Sequence, residues 1–69
     1  MKYAVLFEKG PSTVGATVPD LPGCVAVAST LEEARILIAE AIEFHMEGML
    51  LHGERVPEPK TLAELVEVG

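Results

Sequence analysis

The chain has 69 residues, of which 11 are acidic and 5 basic, giving a net charge of −6 at neutral pH. A single domain of this size holds its core together with little margin, and its negative field works against binding a phosphate backbone. Cys24 is the only cysteine, which excludes an intrachain disulfide, and no apolar run is long enough to cross a bilayer.

Lys2 to Glu8 is rich in strand-forming residues and predicts a first strand, with Tyr3, Val5 and Phe7 pointing one way and Ala4 and Leu6 the other. Gly10, Pro11 and Ser12 then turn the chain. Thr13 to Val18 alternates, with Val14, Ala16 and Val18 on one face, as expected of an antiparallel partner strand. Pro19-Asp20-Leu21-Pro22-Gly23 reads as a rigid turn, with Gly23 free to take the positive φ that a type II turn needs after Pro22. Cys24 to Ala28 is a small, apolar third strand, its Val25 and Val27 opposed to Cys24 and Ala26.

Thr30 to Leu51 reads as one long amphipathic helix. Thr30 and Glu33 have the spacing of a capping box, and Glu32 and Glu33 lie at the positive end of the helix dipole. At about 100° per residue, Leu31, Ala34, Leu37, Ile38, Ala41, Ile42, Phe44 and Met49 share a broad apolar arc opposite Glu33, Glu40, Glu43 and Glu47. Gly53 is a natural stop, and Pro57 and Pro59 prevent continuation. Thr61 to Val68 predicts a helical turn and a short edge strand at Leu65 to Val68. Residues 1–69 therefore read as one α+β domain of order β-β-β-α-β, a three-stranded antiparallel meander plus an edge strand with one helix on one face. One helix covers only one side of a sheet whose strands are apolar on both. The other side is expected to meet another chain, in a homodimer or higher homo-oligomer or in a complex with a different protein.

Little in the chain supports catalysis. Glu40, Glu43 and Glu47 have helical spacing, but no Asp or His stands beside them to close a metal site, and a solvated charged face explains them. Asp20, between two prolines, suits a turn-capping role better than a catalytic one. His45 and His52 are too far apart along the helix to share a metal, and Cys24 reads as a small buried hydrophobe. No cofactor or metal site is expected. Ile36 is different, because it projects into the acidic arc with Glu32 and Glu40 four residues to either side, Glu43 beyond, and Met46 and Leu50 flanking. An apolar anchor ringed by carboxylates suits a surface that grips a basic protein. Asp20 and Leu21 on the rigid turn, with Glu32, Ile36, Glu40, Glu43 and Met46 on the helix, are the candidate partner contacts.

Taken in order, Val18-Pro19-Asp20-Leu21-Pro22-Gly23-Cys24, Thr30-Leu31-Glu32-Glu33-Ala34, Glu40-Ala41-Ile42 and Val56-Pro57-Glu58-Pro59 resemble the motifs of HicB-like antitoxins. The resemblance implies a β-β-β-α-β domain related to a partly degraded ribonuclease H fold. It also implies a cytoplasmic, non-enzymatic role: binding HicA, a small basic toxin that cleaves messenger RNA, and blocking its active site. Ala28 stands where the family usually has a glycine, which bears only on local strand geometry. Many members carry a C-terminal DNA-binding segment, for which the residues up to Gly69 leave no room, so no direct nucleic-acid binding is expected of this chain alone. The rival readings are a residual metal-dependent nuclease and an orphan structural or small-ligand homo-oligomer.

Overall fold

The computed structural model describes residues 1–69. Three strands, β1 (Leu6–Lys9), β2 (Val14–Thr17) and β3 (Val25–Ala28), precede one helix, α1 (Leu31–Leu51). The strands form an antiparallel sheet in the order β1-β2-β3, with Phe7 opposite Ala16 and Ala16 opposite Ala26. The molecule measures 45 × 27 × 16 Å, the thin slab of two layers with one side of the sheet uncovered.

Regular pairing in β1 begins at Leu6 rather than Lys2. Its register would set Ala4 against Pro19, which has no N–H to donate and already belongs to the next turn. Tyr3 and Val5 nevertheless pack against the core, on the side expected from their alternation. The connection from β2 to β3 is two successive turns. The Leu21 N–H donates to the Val18 carbonyl at 3.0 Å and the Cys24 N–H to the Leu21 carbonyl at 3.0 Å. Gly23 sits at φ 85° after Pro22, as a type II turn requires.

Both ends of α1 follow the local sequence. The Thr30 hydroxyl accepts the Glu33 N–H at 3.1 Å, and the Glu33 carboxylate reaches back to the Ser29 N–H at 3.3 Å. At the far end Gly53 adopts φ 71°, its N–H donates to the Leu50 carbonyl and the Glu54 N–H to the Met49 carbonyl. That pair of bonds is a Schellman motif, which only a residue tolerant of positive φ closes without strain.

The core lies between α1 and the helix-facing side of β2 and β3. Ala16, Val18, Leu21, Cys24 and Ile38 form its larger cluster, and Val14, Ala28 and Ala34 a smaller one. Two expectations fail. Phe44 and Leu37, both assigned to the covered arc, are exposed, at 79% and 37%. Phe44 lies about 120° round the helix from the buried Ile38, at the arc's margin, whereas Met46 and Met49 further along the helix are half-buried. The fourth strand at Leu65–Val68 is also absent, so the order is β-β-β-α. Residues 61–69 carry no regular structure, and Leu65 and Val68 are almost fully exposed. Pro57 and Pro59 lack backbone donors, and beyond the hydrogen bonds at Lys60 and Thr61 the segment lies beside β1 without forming a ladder with it.

Candidate protein-interaction surface

Helix α1 turns Ala34 and Ile38 into the core and thereby turns Ile36 outward, half a helical turn away. Ile36 is 59% exposed, and Glu32, Glu40, Glu43 and Glu47 around it are all exposed. Neighbours at i±4 stand about 6 Å away along the axis, so Glu32 and Glu40 bracket the isoleucine side chain. Arg35, also exposed, borders Ile36 on one side, so the carboxylates rim the isoleucine on the other sides. The patch combines an apolar centre with a negative rim on a rigid support.

The other candidate contacts divide differently. Met46 is half-buried on the flank of the helix rather than beside Ile36, while Leu50 is exposed there. Leu21 is fully buried and packs with Val18, Cys24 and Ile38, so its side chain is out of reach of a partner. Asp20 is committed to the chain itself. Its Oδ2 accepts the N–H groups of Lys60 and Thr61, each at 2.9 Å, and its Oδ1 accepts the Thr61 hydroxyl at 2.8 Å. The Thr61 N–H, then the Lys60 N–H, hold its carboxyl below the ordinary aspartate range. Its partners lie forty residues on rather than within its own turn. The Tyr3 hydroxyl donates to the Pro57 carbonyl, a second tie between the tail and the body.

Cys24 is buried, and desolvation raises its thiol pKa, the reverse of an activated nucleophile. His45 is half-buried, and His52 directs Nδ1 at the Gly48 carbonyl at 2.7 Å, where it helps cap α1. No three of the His, Cys, Asp and Glu side chains converge on a point where a metal ion would sit. No helix is long and apolar enough to cross a membrane.

Two exposed apolar surfaces lie outside the acidic patch. On the uncovered side of the sheet, Leu6, Val25 and Val27 are 49%, 57% and 65% exposed. Along one flank of α1, Leu37, Phe44 and Leu51 are exposed at a spacing of seven. The heptad spacing was legible in the sequence, but the broad apolar arc absorbed Leu37 and Phe44 into the expected core and left Leu51 unassigned. Beside β1, the tail and the strand enclose a shallow groove of about 360 Å³ lined by Val5, Leu6, Phe7, Ala63, Glu64 and Leu65.

The chain is similar over 66 residues, at 38% identity, to a 14.9 kDa protein encoded in the rep-hol intergenic region of Haemophilus phage HP1. That match covers 96% of this chain and 50% of the phage protein, so the chain spans half the length of that relative. It is also 40% identical over 58 residues to a UPF0150 protein of the archaeon Thermoplasma acidophilum, covering 83% of this chain and 84% of that one. No solved structure matches it. The model of the HicB-like antitoxins of bacterial toxin–antitoxin systems matches residues 3–68. With a capped amphipathic helix on a three-stranded meander, and a match running through nearly every residue of both, this chain belongs to the HicB-like antitoxin family.

Proposed function

We propose that the protein is an antitoxin that binds a small basic HicA-type toxin and covers its catalytic surface with the outer face of α1. Ile36 is the central anchor, and Glu32, Glu40 and Glu43 form its charged rim. Family membership supports a toxin partner, and the exposed isoleucine within the acidic face is the observation that carries the choice of surface. A net charge of −6 favours rapid encounter with a basic protein. The role is binding rather than catalysis, exercised in the cytoplasm where the toxin meets messenger RNA. The uncovered sheet side supports a homo-oligomer as the working unit. A ribonuclease H-like strand order belongs to this reading if Leu65–Val68 pair with the outer edge of β1 in the complex, beside which Ala63 to Leu65 already lie.

The test is titration of the purified protein against the small basic product of the adjacent reading frame, with toxin cleavage of RNA as a second readout. Ile36→Asp is expected to weaken binding by about thirtyfold or more, the effect of losing a buried anchor, and to release toxin activity while the circular dichroism spectrum stays unchanged. Unchanged affinity in that variant would overturn the assignment of this face.

A further inference from the structure

We propose that the flank of α1 carrying Leu37, Phe44 and Leu51 is a docking seat for a basic amphipathic helix of another protein. The seat lies beside the Ile36 face and goes beyond the toxin contact assigned to that face.

Three rows run along this flank, each at a spacing of seven. Leu37, Phe44 and Leu51 form the middle row and are 37%, 79% and 78% exposed. Four residues before them stand Glu33, Glu40 and Glu47, and side chains at that separation are neighbours on a helix surface. On the other side, four residues after Leu37 and Phe44, stand Ala41 and Gly48. The flank is therefore an apolar ridge with an acidic rim and a margin of small residues. A seven-residue repeat suits packing against another helix at about 20°, because a period of 3.5 keeps one stripe facing the partner. From Leu37 to Leu51 the ridge is about 21 Å long, which matches about four turns of a second helix.

Gly48 serves no packing need of the single chain. Glycine inside a helix is less stable than any residue but proline, and a Cβ built on Gly48 meets no atom within 4 Å, so no neighbour in the chain requires the side chain to be missing. Beside an exposed apolar ridge, its absence lets another backbone approach closely. Charge then selects the occupant. Glu33, Glu40 and Glu47 are exposed, and the last turn of α1 holds no basic residue. Arg35, the only Lys or Arg on α1, lies about 180° round the helix from Phe44. A second copy of this chain would bring the same row of glutamates against this one, and the tail, with Glu58, Glu64 and Glu67 against Lys60, is acidic as well. Both are repelled. A helix with Lys or Arg at heptad spacing beside its own apolar stripe instead pairs with the glutamate row while it covers Leu37, Phe44 and Leu51.

The test titrates the full chain with a synthetic helical peptide of about 18 residues, carrying leucine at heptad positions a and d and lysine at e and g, and with a second peptide in which glutamate replaces the lysines. Calorimetry reads affinity and backbone-amide NMR shifts read the place. The lysine peptide is expected to bind, to shift the amides from Leu37 to Leu51, and to weaken between about 50 mM and about 500 mM salt; the glutamate peptide is expected not to bind. Phe44→Glu changes an exposed side chain and adds a negative charge, so a mere attraction of cations would tighten binding, whereas loss of the ridge raises the dissociation constant about tenfold or more. Gly48→Leu is expected to raise the melting temperature and yet weaken the peptide about tenfold, because the new side chain fills the margin. Ile36→Asp is expected not to weaken it. A lysine peptide that fails to bind, or that binds Phe44→Glu equally or more tightly, overturns the proposal. So does a loss in Ile36→Asp with none in Gly48→Leu, which moves the seat to the Ile36 face. Release of the toxin by Ile36→Asp reports on the antitoxin reading alone.

Discussion

Leu21→Ala separates a core role for the rigid turn from a contact role. Leu21 is fully buried, and its neighbours Ala16, Val18, Cys24 and Ile38 are mostly short side chains with little reach into a vacated space. The loop cannot easily collapse either, because two turn hydrogen bonds and the rings of Pro19 and Pro22 hold its backbone. Truncating a buried leucine in such surroundings costs about 3–4 kcal/mol. A domain of 69 residues has only about 3–10 kcal/mol of total stability at the usual value per residue. The variant should therefore lose a third or more of its stability. With a denaturant slope near 1 kcal/mol/M for so small a protein, the urea midpoint followed by circular dichroism should fall by about 3 M at matched protein concentration, or the chain should be unfolded in buffer. A fall of less than about 1 M would refute the cavity argument. So would a variant that melts normally but no longer binds the toxin, because Leu21 would then be a contact residue.

Gly53→Ala forces a side chain into φ 71° at the Schellman closure and should lower stability by about 1–2 kcal/mol, read as a drop in melting temperature with fraying confined to the last turn of α1. An unchanged melting temperature would refute that account. Asp20→Ala should leave the sheet and helix intact but speed hydrogen exchange at the Lys60 and Thr61 amides, since the carboxylate is their acceptor. The sign of the pH dependence follows from the depressed carboxyl: the clasp contributes fully above the ordinary aspartate pKa, about 4, and is lost as the pH falls on through the lowered native value. Exchange at both amides that ignores the mutation and the acid titration would show that the tail is held elsewhere.

Several features were readable directly because their causes are local. Pro22-Gly23 implied its turn through the sterics of two residues, and Gly23 adopts the required φ. Thr30 and Glu33 implied the helix start through side chains that reach only one turn, and both bonds form. The alternation of Tyr3, Val5 and Phe7 against Leu6, and of Val25 and Val27 against Ala26, assigned two sides to the sheet. The uncovered valines lie on the side so assigned. Ile36, placed on the solvent face by its angle alone, is exposed there.

The order of elements through α1, the caps and the two-faced sheet were thus determined by the amino-acid sequence itself, since they depend on backbone sterics, hydrogen bonds within a turn and side-chain period. Tertiary structure alone decided which apolar residues are covered. Leu21 went inside because the turn folds under α1, and Phe44 stayed outside because it points past the edge of the two layers rather than between them. Asp20 found partners forty residues away, and Leu65–Val68 found none. The physical reason is that period assigns a direction to a side chain, whereas burial depends on whether another element of finite length happens to stand in that direction.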